Sequence, residues 1–454
     1  MNVRDIVASY KDELISKTRE LISYESVQGA PEKNYPFGKV VADCLHSALG
    51  MCEEYGFKCV NLDNYVGYGE IGSGEKLIGV LGHLDIVPLG QGWTHDPLGG
   101  EIVDGKMYGR GTSDDKGPVV CSMVAMKIVN ELRPNLNKRI RLIMGCNEET
   151  GSRCLRHYVE KEGHMDYGFT PDGPFPGCFG EKGHLRIKVT CNTDLVRVSA
   201  GVAANVVPNL CEFEMKEITF DEDKFASYLN GHGLSYDKHI SESNGNVIIS
   251  VHGVAAHASL PEYGKNAISY GMMALGEAGY EDEMVKFYNS CIGLTTDGSL
   301  FGCACSDEYG ALTFSVGLAT TIEKGVVVFT IDSRFPVSMK SGKVCDLIPT
   351  GKINSNVTVE IAGRGEPLFY EPTSPLVTML KEAYQEVMGT NDEPITMGGG
   401  TYAKGINNCI AFGGEFPGID NHLHDADEFI TIEHMLLQTE IYVNALLKLV
   451  DYEG

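Results

Sequence analysis

His83 and Asp85 stand two residues apart just beyond the apolar run Leu77–Leu81. On a strand, side chains two apart point the same way. The pair therefore projects together from a strand's carboxyl end, where open α/β sheets hold their ligands. Four more clusters place acid or imidazole at a break in apolar sequence. Asp114 and Asp115 lie in the Gly-rich stretch Tyr108–Gly117, and Glu148 and Glu149 follow a second apolar run, Ile140–Met144. Asp172 sits in Thr170-Pro171-Asp172-Gly173, and His422 and His424 open the acidic run His422–Glu428.

Each cluster alone also fits an ordinary role: a loop His and Asp, a helix N-cap for Asp114-Asp115, a P-D-G turn, a solvated helix start. Together they say more. Adjacent carboxylates after an apolar strand are costly unless positive charge faces them. Asp, Glu and His without Cys form the ligand set of a hydrolytic two-metal site, where cations ~3.5–4 Å apart share a bridging carboxylate. Competing signatures are missing: there is no G-x-S-x-G, H-E-x-x-H or G-x-x-x-x-G-K-[ST]. Gly398-Gly399-Gly400-Thr401 lacks the Lys of a phosphate cradle, and Cys303-Ala304-Cys305 reads as core.

These residues need elements to position them. Strands at Leu77–Leu81 and Ile140–Met144 alternate with helices at Pro118–Leu132 and Cys154–Glu162, which implies a parallel sheet covered by helices. An amphipathic N-terminal helix is expected from the spacing of Val3, Val7, Tyr10, Leu14 and Leu21. The chain's end returns to this style, with helices at Leu376–Met388 and Ile432–Val450 around the short apolar segment Asn408–Phe412. Between lie strand-like runs in an earlier set (185–190, 211–217, 247–251) and a later set (311–316, 326–331, 357–361). The expected division is a catalytic domain from residues 1–185 and 375–454, with a second domain, 186–374, inserted into it.

At ~150 residues per domain, 454 residues suit two or three domains. Asp plus Glu is 62 against 37 Lys plus Arg, a formal net charge of −25, which repels nucleic acid and anionic membrane surfaces. No uncharged run approaches the ~18 residues of a membrane helix, and the N-terminus has no signal-peptide core. Fourteen cysteines scattered singly read as reduced thiols, so a cytoplasmic protein is expected.

The motifs resemble those of the M20 family of metallopeptidases, and within it the PepV-like bacterial dipeptidases. G-H-L-D-I-V-P at 82–88, G-W-T-H-D-P at 92–97, Y-G-R-G-T-S-D-D-K-G-P at 108–118, N-E-E-T-G-S at 147–152, P-D-G at 171–173, A-H-A-S at 256–259 and H-D-A-D-E at 424–428 occur in family order. The resemblance implies an α/β metal-dependent exopeptidase-type catalytic domain with a mostly parallel sheet, plus an inserted α+β lid made of two subunits of structure. It implies that His83 and Asp172 bind one metal, Glu149 and His424 the other, and that Asp114 bridges them. Asp114 is favoured over Asp115 because the family pattern is a ligand Asp, one variable residue, then Lys-Gly, and His424 over His422 because it stands four residues before Glu428. Asp427 stands where the family has Asn. Asp85 orients the His83 ring, and Glu148 is the general base.

His257 matches an imidazole that stabilises the oxyanion, with a capping or core role as its alternative. Asn205 and Arg334 match substrate contacts, and Gly399, Gly400 and Thr401 approach the substrate carboxylate through backbone N–H groups. The implied cofactors are two divalent ions, Zn²⁺ first and Mn²⁺ second. The implied activity is hydrolysis of free dipeptides, with an N-acyl-amino-acid deacylase as the alternative. An inactive binding protein is disfavoured, because the five ligands, Asp85 and Glu148 are all present. A monomer is expected, the second half of the lid taking the place of a partner's.

Overall fold

The computed structural model describes residues 2–453. The chain divides into two units, one built from residues up to Gly180 together with Tyr370 onward, the other Glu181–Phe369. Both division points fall five residues before those expected from the sequence.

The sheet of the first unit is mixed. Its centre is parallel: Leu77–His83 lies between Arg139–Gly145 and Tyr167–Thr170, and Cys409–Ala411 adds to Tyr167–Thr170. Towards one edge it turns antiparallel, through Val66–Gly72 and then Lys58–Leu62. The central strand Leu77–His83 is buried along its whole length, as expected of a strand covered on both faces. Cross-strand register places Gly67, Met144 and Gly82 on one face. There a Cβ on Gly67 would meet Leu45 and Leu49 of the Lys39–Glu54 helix, and one on Gly82 would meet Val119 of the Lys116–Leu132 helix. Glycine at these positions lets two helices approach the backbone closely. The long C-terminal helix, Ile432–Asp451, packs along Lys116–Leu132 and carries Pro375–Met388 on its flank. The other face holds the Arg153–Glu162 helix, whose Tyr158 hydroxyl accepts from Arg141 at 2.8 Å.

The expected N-terminal helix is two helices, Val3–Ser9 and Lys11–Ile22. At Tyr10 the backbone leaves helical geometry (φ −92°, ψ 4°) and its N–H bonds to Val7 O, three residues back. Val7, Leu14 and Leu21 are buried on either side of this break. No helix among the described residues is long and apolar enough to cross a membrane.

The second unit holds one nine-stranded antiparallel sheet. Its order is Ser235–Ile240, Val247–His252, Leu210–Met215, Arg197–Ala200, Thr313–Glu323, Val326–Phe335, Gly183–Asn192, Val357–Gly365 and Gly351–Lys352. The earlier and later sets of strands read from the sequence are thus joined edge to edge, through Arg197–Ala200 and Thr313–Glu323. Gly183–Asn192, from the earlier set, lies among the later strands and alternates buried and half-buried residues. Its inward residues Leu185, Ile187, Val189 and Cys191 share one apolar core with the helices Ala267–Glu277 and Glu283–Cys291.

Candidate metal centre

The parallel strands of the first unit deliver their carboxyl ends to one edge. His83 is the last residue of its strand, Glu148 and Glu149 follow Arg139–Gly145, and Asp172 follows Tyr167–Thr170. Asp114 lies just before the Lys116–Leu132 helix, and His424 lies in the loop before the Phe429–Thr431 strand. Asp114 sits at the centre. Its Oδ1 is 2.9 Å from His83 Nε2 and its Oδ2 is 2.8 Å from His424 Nε2. Asp172 Oδ2 lies 3.9 Å from His83 Nε2, and Glu149 Oε1 lies 3.3 Å from His424 Nε2. His83, Asp114 and Glu149 each bring one ligand atom within 4.8 Å of the others.

The neighbouring candidates face elsewhere. Asp115 is fully buried, and its Oδ2 accepts the His83 backbone N–H at 3.0 Å. His422 sets Nδ1 3.3 Å from Ala426 O and its ring edge-on to Phe429.

Asp85 meets the His83 ring through its main chain. The His83 Nδ1 lies 2.9 Å from the Asp85 main-chain carbonyl, while the nearer carboxylate oxygen is 3.7 Å away. The Asp85 carboxylate instead accepts the backbone N–H groups of Glu148 (2.9 Å) and Glu149 (3.1 Å). A buried carboxylate needs donors, and backbone amides supply them here. One residue thus fixes both the imidazole, through its main chain, and the loop bearing the two glutamates, through its side chain.

Glu428 does the same for Asp114. Its Oε1 accepts the N–H groups of Gly111, Ser113 and Asp114, and its Oε2 accepts from Arg110 at 2.7 Å. Both members of the Arg110–Glu428 pair are buried. Burial, and after it the Asp114 charge, pushes the Glu428 carboxyl up to about 7. Removing one partner of such a pair costs about 3–5 kcal/mol, so Arg110→Met should lose stability on that scale in chemical denaturation. A loss under ~1 kcal/mol, the size of a surface pair's contribution, would show that the amide donors suffice for Glu428. Asp427 joins two of the sequence motifs: its carboxylate accepts from Thr94 N, Thr94 Oγ1 and His95 N. A carboxylate with two acceptor oxygens meets all three donors, which accounts for an acid at this position.

The electrostatics are those of an acid cluster in low dielectric. Burial raises Asp172, with the Asp114 charge adding to it, to about 8, and raises Asp85 to about 6. Glu148 is pushed well above the carboxylate range, first by burial. Burial acts on Asp114 in the same direction, but the hydrogen bonds from His424 and His83 outweigh it and hold its carboxyl well below that range. His424 is raised to about 11 by its hydrogen bonds with Asp114 and Glu149. Positive charge is what this cluster demands, and protonated imidazole or a divalent cation answers that demand. Glu149 Oε1, buried and facing the His424 imidazole at 3.3 Å, is suited to a cation. The residues present fit metal ions.

Tyr402 is a neighbour that the sequence did not announce. It is buried, its ring stands edge-on to His83 at 6.2 Å, and its hydroxyl lies 2.9 Å from Cys154 Sγ. It follows Gly399, Gly400 and Thr401 directly, so that loop is anchored beside His83, with Thr401 Oγ1 accepting Ala403 N–H at 3.2 Å. A buried aromatic after a glycine run was the available signal.

The remaining candidates belong to the second unit. Val206–Val207 pairs with Ala256–His257, with Val206 opposite His257, and Ala258 N–H donates to Asn205 O at 2.8 Å. Asn205 and His257 are thus brought together on one ribbon. His257 Nδ1 lies 2.6 Å from Ser259 Oγ. Arg334 is not on that ribbon; it sits in the main sheet and grips Asp332 through Nε at 2.6 Å.

Comparison with known proteins gives this arrangement its family. The model for Peptidase family M20/M25/M40 matches residues 79–448. YtjP of Bacillus subtilis (strain 168) is 33% identical over 99% of this chain and 100% of its own length. The Beta-Ala-Xaa dipeptidase of Lactobacillus delbrueckii subsp. lactis is 28% identical over 99% of this chain and 98% of its own. Among solved structures, human carnosine dipeptidase 1 aligns with a TM-score of 0.62 at 17% identity, covering 99% of this chain and 98% of that one, a likeness of fold. With its motifs matched along nearly the whole chain, the protein belongs to peptidase family M20.

Proposed function

We propose that this peptidase is a di-metal dipeptidase. The observation that carries the reading is the placement of Asp114, whose two carboxylate oxygens address His83 on one side and His424 on the other. A bridging carboxylate between two cations has this form. His83 and Asp172 would hold one ion, Glu149 and His424 the other, and Asp114 would contribute to both. Imidazole and carboxylate without thiolate suit Zn²⁺, with Mn²⁺ as the second choice.

Bound, the ions would supply Lewis acidity that polarises the scissile carbonyl and lowers the pKa of a water towards ~7. Glu148 takes the proton of the attacking water and returns it to the leaving amine. Asp85 holds the backbone of Glu148 in place while this happens. Glu428, through the amides of Gly111, Ser113 and Asp114, keeps the bridging carboxylate aimed. The roles of His257, Asn205 and Arg334 rest on their motifs, as does the approach of Gly399, Gly400 and Thr401 to the substrate carboxylate.

Free dipeptides are the proposed substrates, supported by the whole-length relative named as a Beta-Ala-Xaa dipeptidase. The test is turnover by metal-reconstituted protein on dipeptides, tripeptides and N-acyl amino acids. Cleavage of dipeptides well above the other two classes is expected. Preference for N-acyl amino acids would make the protein a deacylase instead.

A further inference from the structure

Two thiols remote from the metal centre in function and chemistry face each other behind the sheet's antiparallel edge. Cys52 lies in the last turn of the Lys39–Glu54 helix and is buried, while Cys59 lies in the edge strand Lys58–Leu62 and is half-buried. Cys59 is paired directly with Gly69 of Val66–Gly72. Directly opposed residues put their Cβ atoms on the same face, ~4.5–5.5 Å apart. A Cβ on Gly69 would lie 2.9 Å from Cys52 Sγ and 3.0 Å from Cys52 Cβ. The Cys52 side chain therefore occupies the space that Gly69 leaves open, beside the Cys59 side chain. Cys59 Sγ points the same way, towards Leu49 O of the helix at 3.5 Å.

The geometry points to Cys52 and Cys59 as a peroxide-oxidisable thiol pair that closes to a disulfide between helix and edge strand. Both side chains flank the open Cβ position of Gly69, and a disulfide there needs their Cβ atoms ~3.5–4.5 Å apart. Their chemistry divides the labour. Cys59 is half-buried, and the neighbouring Cys52 thiol draws its pKa down against the opposing effect of burial. The Cys52 thiol is pushed up by its neighbour Cys59 and by burial. A half-buried thiol with a lowered pKa beside a second thiol that can resolve it is the arrangement of redox-responsive cysteines.

The steps balance with hydrogen peroxide as the two-electron oxidant. The Cys59 thiolate attacks one peroxide oxygen; an S–O bond forms, the O–O bond breaks, and hydroxide leaves and takes up a proton. Cys52 then attacks the Cys59 sulfur; the S–S bond forms, the S–O bond breaks, and the second oxygen departs as water with the Cys52 proton.

The test treats the intact, folded protein with hydrogen peroxide, blocks remaining thiols by alkylation and maps the cysteines by mass spectrometry. The expected product is a Cys52–Cys59 crosslink that has lost two hydrogens, formed before oxidation at the other half-buried thiols Cys291, Cys305 and Cys345, and reversed by dithiothreitol. In Cys52→Ala, dimedone should capture a sulfenic acid at Cys59; in Cys59→Ser neither product should form. The wild-type measurement stands without the variants. If Cys52 and Cys59 both remain alkylatable while Cys291, Cys305 or Cys345 is oxidised, the pair is not a redox site.

Discussion

Asp114→Ala is expected to abolish turnover and, if the carboxylate bridges two ions as proposed, to weaken both metal sites together. No other single substitution in the cluster removes a partner from both His83 and His424, because only Asp114 presents one oxygen to each, at 2.9 and 2.8 Å. Loss of an outer partner of a metal ligand costs ~10–100-fold in affinity or activity; loss of a shared ligand exceeds that at each ion. It also removes negative charge from between two cations. Metal titration of the variant should show neither tight site, whereas Asp172→Ala or Glu149→Ala should weaken one site more than the other. Two undiminished sites in Asp114→Ala would remove the bridge from the mechanism.

Glu148→Gln should have the opposite signature. The amide keeps the size of the side chain, and the Asp85 carboxylate still receives the backbone N–H of residue 148. The fold and both metals are therefore retained. The amide cannot accept the water's proton, and general acid–base groups are typically worth ~10²–10⁴ in rate, so kcat should drop by that factor with metal content unchanged. Wild-type turnover at full metal occupancy would exclude Glu148 as the base.

His83 and the Glu148–Glu149 pair were legible because each stands where an apolar run stops, whereas Asp114 and His424 were singled out by the family motifs. Leu77–Leu81 and Ile140–Met144 are unmistakable in sequence, and the strands continue past them to His83 and Gly145. What surrounds the cluster was less visible. Val66–Gly72 reads poorly as a strand because Gly is depleted in strands, and three of its seven residues are glycine. Two of them, Gly67 and Gly69, are there because Leu45, Leu49 and Cys52 need the space. The position of Gly183–Asn192 between Val326–Phe335 and Val357–Gly365 follows from long-range pairing, which leaves no local periodicity to read. Nor does a motif say which atoms of a residue act. His83 and Asp85 share a strand end, yet the contact to the ring comes from the main chain of Asp85, and the carboxylate turns to the Glu148–Glu149 loop. Arg110 and Glu428 lie 318 residues apart in sequence and become partners only when folded.

Two cations act together in the proposed mechanism, so the number of ions bound per chain at full activity decides it. Chelator-stripped protein is titrated with Zn²⁺, and in parallel with Mn²⁺, while dipeptide hydrolysis and bound metal are followed in the same samples. The expected result is no turnover in the stripped protein and a plateau reached only when two equivalents are bound. A plateau at one equivalent, or turnover that survives exhaustive chelation, would contradict the account.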